Sequence, residues 1–300
     1  MKPLLHTVLR RYFRSKFTLL ILLAMPLLGG LSGLIVFESR SGKEILFYAE
    51  ICLYFLIASL FLLTAGIILT IGNDFADGII RLQCIHANTK TQISLSHIFG
   101  AMLWSTLCGT LMMIPFCFFG MDFFALYLTG KVMQVIPPLL MMYTVWGTLT
   151  AVLTLSIRNR AFSAIMGIAL LLGMLIGSMQ LFMRLDEPKY RTEMVYDYTS
   201  DDTDGQAQPE EKLVRNEWYI DKPKRDYLEF AYLTDPITPI AEEFSFLTNV
   251  QDNYQSADSF NKEIRSIHRA RRKFLPWFQC FELLALTAAG TWLFQRRNLS

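Results

Sequence analysis

Four histidines, five cysteines and one isolated carboxylate are the side chains here with most chemistry to offer, and their spacing limits it. His6, His86, His97 and His268 are too dispersed along the chain for a metal or triad site, and no HExxH, CxxC or GxSxG occurs. No GxxxxGK[ST] occurs either, since Gly130-Lys131 lacks the preceding glycine of a phosphate-cradling loop. Residues 200–211 place Asp202, Asp204, Gly205 and Glu211 at the third, fifth, sixth and twelfth positions of a calcium loop. Ser200 replaces the first aspartate and Pro209 interrupts, so a solvated acidic linker is the expected reading rather than a calcium site. Cys52, Cys108, Cys117 and Cys280 fall in apolar runs and Cys84 in a polar interval; none lies in the polar segment 184–273, which therefore has no disulfide framework. No catalytic residue, cofactor or metal is expected, and the chain does not read as an enzyme. Glu282 remains, the only acidic residue inside an apolar run of spanning length. It lies about 10 Å along that run at ~1.5 Å per residue, where an ionised carboxylate is costly unless it meets water, a cation or another polar group.

The elements around these residues are membrane helices. Hydrophobic residues make up 53% of the chain and its mean hydropathy is +0.34, with the apolar residues gathered in runs near spanning length. Six runs qualify: 17–37, 51–71, 98–120, 135–157, 162–182 and 275–294. Pro26 and Pro115 inside spans are expected to kink them, and Pro137-Pro138 to start the fourth. The expected fold class is an all-α polytopic membrane protein. Residues 1–16 form an amphipathic interfacial helix, 17–182 carry spans one to five, 183–274 form a small extracytoplasmic cap, and 275–300 hold the sixth span and a tail. In the first helix Leu4, Leu5, Val8, Leu9, Tyr12 and Phe13 oppose His6, Arg10, Arg11 and Arg14, so its arginines are expected to face lipid headgroups. The run 17–37 is too long for a cleaved signal and carries no small-x-small site.

Loop charges orient the set. With the N-terminus inside, the cytoplasmic side holds Lys2, Arg10, Arg11, Arg14, Lys16, Arg81, Lys90, Arg158, Arg160, Arg296 and Arg297; the short outer loops hold Arg40, Lys43 and Lys131. Both termini and the polar interval 72–97 are then cytoplasmic. The basic residues Lys262–Lys273 before the last span oppose this, but long loops translocate largely regardless of charge. The net charge of +2 is segregated along the chain and points to no nucleic-acid partner. Within 183–274, residues 196–212 look disordered by composition, 213–220 read as a strand, 236–247 as a helix, and Phe260, Ile264, Ile267 and Phe274 as a basic amphipathic helix entering the last span.

The interval 72–97, GNDFADGIIRLQCIHANTKTQISLSH, is the one long polar stretch inside the first five spans. Ile79, Ile80, Leu82 and Ile85, with Arg81, Gln83 and His86, read as a short amphipathic helix with its exit turn at Asn88-Thr89-Lys90. Six spans, a basic entry helix, this loop after the second span and the ending Phe294-Gln295-Arg296-Arg297 together resemble the ABC type-2 permeases, membrane subunits of ATP-driven exporters. In the loop Asp74 and Asp77 flank the family's acidic position, Gly78 matches its glycine, Ile79 replaces its threonine and Arg81 stands near its first basic position. Lys90 and His97 stand where the family has arginine and lysine.

The resemblance implies a dimeric permease in the cytoplasmic membrane of a bacterium, moving a substrate with ATP hydrolysed by a separate ATPase chain. Its coupling surface would comprise Asp77, Gly78, Ile80, Arg81, Leu82 and His86, with Ile80 and Leu82 as apolar contacts. Gly29 with Gly33, and Gly173 with Gly177, are small-xxx-small pairs that pack helices within one chain or across a dimer with a second permease chain; the resemblance favours the fifth-span pair for the dimer. Glu282 would line the outer end of a substrate path or pair with Arg272 at an outer gate; a hydrated rim position is the alternative. The competing functional class is a membrane-anchored extracytoplasmic binding or sensory protein, with 184–273 as its working part.

Overall fold

Inside a bilayer every backbone N–H and C=O must be satisfied within the protein, which leaves helices as the only form for these isolated apolar runs. The computed structural model describes residues 2–38, 45–86, 89–119, 132–157, 159–187, 189–196, 209–249 and 259–296. In order they form α1 (Lys2–Arg14), α2 (Lys16–Glu38), α3 (Ile45–Ala76), α4 (Ile79–Ile85), α5 (Lys90–Phe119), α6 (Val132–Ile157) and α7 (Arg160–Leu185). There follow β1 (Tyr190–Tyr196), β2 (Pro209–Arg215), α8 (Lys222–Leu233), α9 (Thr238–Asn249) and α10 (Ser259–Gln295). Among the described residues five helices are long and apolar enough to cross a membrane, over Lys16–Ile35, Leu53–Ala76, Lys90–Phe119, Gln134–Ile157 and Arg160–Leu185. The chain is thus a helical membrane-embedded protein that carries, among the described residues, one antiparallel strand pair, in which Tyr190 faces Arg215 and Tyr196 faces Pro209.

Local signals explain where the helices overrun the apolar runs. The α5 helix begins at Lys90, eight residues before its apolar run, because Thr89 and Gln92 cap it reciprocally. The Gln92 N–H donates to Thr89 Oγ1 and the Thr89 N–H to Gln92 Oε1, both at 3.2 Å. At the head of α7, Asn159 Oδ1 accepts from the Ala161 and Phe162 N–H groups at 3.0 and 3.2 Å. The α6 helix starts at Val132, ahead of Pro137-Pro138, which therefore lie inside its first turns rather than opening it. The strand expected at 213–220 instead covers Pro209–Arg215, and β1 takes in Tyr196 at the edge of the stretch read as disordered. Residues 197–208, and with them most of the calcium-like pattern, lie outside the described residues, as do Arg40, Lys43, Lys131, Arg158 and Arg297.

The core sits between α2, α3, α5 and α6, where small residues let backbones close up. A Cβ added at Gly29 would stand 1.9 Å from the Met112 carbonyl oxygen, and one at Gly33 2.7 Å from that of Phe116. The first small-xxx-small pair is therefore spent on α2–α5 packing within the chain. A Cβ added at Gly173 or Gly177 on α7 would meet no described residue within 4 Å. Polar groups inside the core answer one another: Trp146 Nε1 donates to Thr64 Oγ1 at 2.8 Å, the Thr106 and Thr144 hydroxyls meet at 2.8 Å, and the Ser59 and Tyr143 hydroxyls are hydrogen-bonded.

Helix α10 runs the whole length of the bundle. At one end Lys90 Nζ donates to the Gln295 carbonyl at 3.3 Å and Gln295 Nε2 to Thr91 Oγ1 at 2.7 Å. About 36 Å away, by helical rise, Arg271 meets Asp186 beyond the end of α7. These contacts define two ends, one carrying α4 and the other carrying the strand pair, α8 and α9.

Candidate functional site

At the first end, α3 stops in a tight turn. The Asp77 N–H donates to the Asn73 carbonyl at 2.8 Å and the Gly78 N–H to that of Phe75 at 3.1 Å. Gly78 has φ 69°, a left-handed conformation that favours glycine, and it starts α4 in a new direction. Ile80 and Gln83 then face inward; Ile80 is 1% exposed and belongs to the main core. Leu82 and Ile85 face outward at 52% and 70% exposure, alongside exposed Asp77, Arg81 and His86. The expected contact pair of Ile80 and Leu82 is thereby split. Ile80 is committed to holding α4 down, and Ile85 joins Leu82 as the apolar part of the outward surface.

Directly under this turn α1 is tied to the bundle. Arg11 Nη1 lies 2.8 Å from Asp74 Oδ1, and Asp74 is only 4% exposed. Arg11 therefore turns inward to a carboxylate instead of outward to lipid headgroups, while Arg10 and Arg14 stay exposed. The reason is energetic. Asp74 closes an apolar helix, and an unpaired charge buried there would cost several kcal/mol, roughly 3–5 when one partner of such a pair is lost. Tyr12 stacks on Trp104 with ring centroids 5.2 Å apart, and Val8 fills the space beside Gly100, so α1 packs on α5 as well as carrying an exposed polar face. His97, fully buried, has Nδ1 3.9 Å from the other Asp74 oxygen, too far for a hydrogen bond.

The other end holds a cluster drawn from four elements. His268 Nδ1 lies 2.8 Å from Glu242 Oε2, and its Nε2 lies 3.0 Å from Asp186 Oδ2. Arg271 reaches Asp186 at 2.8 Å, Glu229 at 3.1 Å and Glu242 at 3.3 Å. Arg272 holds Glu243 with both Nε and Nη2, at 3.1 and 2.9 Å. Since carboxylates only accept, His268 bonds both neighbours best as the doubly protonated imidazolium. Burial works against that charge, but the bonds to Asp186 and Glu242 outweigh it and push the imidazole up to about 9. Burial also raises Asp186, yet the bonds and charges of His268 and Arg271 hold it below its ordinary range. Burial pushes Glu243 up to about 7 against the pull of Arg272. The cluster welds the end of α7 to α8, α9 and α10. Both ring nitrogens of His268 are engaged, and among the described residues no group of His, Cys, Asp and Glu is arranged to hold a metal ion.

Nothing in the sequence pattern had joined these residues. Asp186 and Arg271 are far apart in the chain, and His268 with Arg271 and Arg272 reads there simply as a basic helix face. A usable signal was Glu242-Glu243 inside the apolar helix α9, since carboxylates in such a setting require partners.

Glu282 lies further along α10, at 9% exposure. It does not pair with Arg272, which is taken by Glu243. No described residue bonds either of its carboxylate oxygens. Three turns on, Phe294 is buried, and Arg296 lies 3.9 Å over the Trp292 ring.

No protein-family description, no curated protein and no solved structure matches the chain. Fold and composition together define its class as a multi-helix protein embedded in a membrane.

Proposed function

We propose that this chain is the permease subunit of an ATP-driven exporter, with α4 as the surface on which a separate ATPase chain docks. The observation that carries the proposal is the split character of α4. A helix of two turns, hinged on a left-handed glycine, is nailed to the core by Ile80 and presents Leu82, Ile85, Arg81 and His86 outward. A lever needs both features: a firm attachment inward and an apolar, charged contact face outward.

In this reading α10 is a sixth span, which its contacts at both ends of the bundle support, and both termini and α4 lie on the cytoplasmic side of a bacterial membrane. Closure of two ATPase subunits would push α4, and the Arg11–Asp74 pair would carry that push from α3 to α1. A second permease chain would complete the path. The exposed α7 face around Gly173 and Gly177, which no described residue fills, suits that second copy. The alternative of an anchored binding protein fits less well, because α8 and α9 are locked to the helix bundle by the ionic cluster rather than standing apart as a module.

Gentle purification from native membranes tests the proposal. A stoichiometric nucleotide-hydrolysing chain should accompany the protein, and its ATP turnover should fall when Leu82 and Ile85 are both changed to aspartate. Reproducible isolation without such a chain, under conditions that preserve other membrane complexes, overturns it.

A further inference from the structure

In water a surface helix turns its apolar stripe to the core and its charged face outward. Helix α8 treats its charged and aromatic residues the other way. Arg225 turns back to donate to the Leu185 carbonyl at the end of α7, and Glu229 accepts from Arg271 at 3.1 Å. Tyr232 and Leu233 fill the rest of that inner side. Tyr227 and Phe230, one turn apart, point away from the bundle at 72% and 57% exposure. Their surface continues onto α10. The Phe230 ring meets that of Phe278 edge-on with centroids 5.8 Å apart, and Phe278 is one turn from both Phe274 and Phe281. Phe274, Trp277 and Phe281 are all exposed, at spacings of three and four residues that put them on one face of the helix. A contiguous aromatic surface of this kind marks a place where a partner or a membrane binds.

We infer that α8 lies in the headgroup boundary of the bilayer, where Tyr227 and Phe230 dock on phospholipid as an extension of the lipid-facing side of α10. Continuity selects lipid as the occupant. The carbonyl that anchors Arg225 belongs to Leu185, the last residue of a helix long and apolar enough to span. Helix α8 therefore leaves the bundle at its rim. That is the level at which Tyr and Trp place a ring among acyl chains and a polar tip among headgroups. An amphipathic helix in this plane buries its apolar face by about 5–10 Å. Charge does not choose the lipid, because exposed Lys222 and Lys224 at the start of α8 are balanced by exposed Asp221 and Asp226. Aromatic burial is the attraction, so a zwitterionic phospholipid suffices. The cap is then held from two sides, by the ionic cluster inward and by lipid outward.

The test uses the unaltered full-length chain, one copy per phosphatidylcholine nanodisc and no ATPase, so its outcome is independent of the exporter reading. Single occupancy also removes a second copy as the covering partner. Hydroxyl radicals oxidise water-accessible rings, and peptide mass spectrometry reads the rate at each residue. Tyr227 and Trp277 should be oxidised as slowly as buried Tyr232 and Trp146, despite being open in the chain itself. Rates closer to those of the same residues in the digested, free peptides would overturn the inference. A phosphatidylcholine with a diazirine in its acyl chain gives the positive readout. On illumination it should label Tyr227 and Phe230 along with exposed Leu172 of α7. Label on Leu172 with none on α8 would overturn the inference, as would labelling of α8 that appears only after an anionic lipid is added.

Discussion

Replacing His268 with glutamine, and separately titrating the unaltered protein, should show that the cap is held by a charged histidine. The imidazole makes two bonds to acceptor-only partners, at 2.8 Å to Glu242 and 3.0 Å to Asp186. Its value is pushed up from an ordinary 6.5 to about 9. A base held more protonated in the folded state stabilises it fully below about pH 6.5 and loses that contribution as pH rises through 9, an effect on the order of 3 kcal/mol. Glu243, pushed up to about 7 from 4.5, loses its own contribution between those values, so from pH 7.5 to 10 the local protection of α9 follows His268. The assay is hydrogen exchange at α9 in detergent across that interval. Protection of α9 should decline towards pH 10 in the unaltered protein and start lower, with a flat profile, in His268→Gln. A flat profile in the unaltered protein, or the same decline in the variant, would refute the charged-histidine account.

Two further perturbations address the bundle. Gly29→Val should lower thermal stability by about 3 kcal/mol or prevent folding, because a Cβ there meets the Met112 carbonyl oxygen at 1.9 Å, whereas Gly173→Ala should leave the monomer's unfolding temperature unchanged. Arg11→Met should cost roughly 3–5 kcal/mol by stranding Asp74, and adding Asp74→Leu to it should restore most of the loss in the same unfolding assay.

The spans and the short helix α4 were legible in the sequence because each rests on local periodicity. Apolar runs marked the five spanning helices, and α9 falls within two residues of its expected limits. What failed was anything decided by partners distant in the chain. Arg11 looks like a headgroup contact until α3 brings Asp74 beneath it. Ile80 and Leu82 look equivalent on a helical wheel, and only the packing of α4 on the core separates them. The α8 helix is marked in the sequence only by its start signals, Asp221 before it and Pro223 at its opening. The ionic cluster drew on residues from 186 to 272, a separation that no local pattern spans. Its histidine looks isolated in the sequence because spacing alone cannot show that two carboxylates flank it.

The most direct measurement of the central claim is site-specific crosslinking from α4 in native membranes. A photoreactive residue at Ile85 should trap a single partner that mass spectrometry identifies as a nucleotide-hydrolysing chain, whose yield changes when ATP is added. The same group at exposed Phe118, remote from α4, should trap none of it. Ile85 adducts confined to lipid, with or without ATP, would contradict the assignment of α4 as the docking surface.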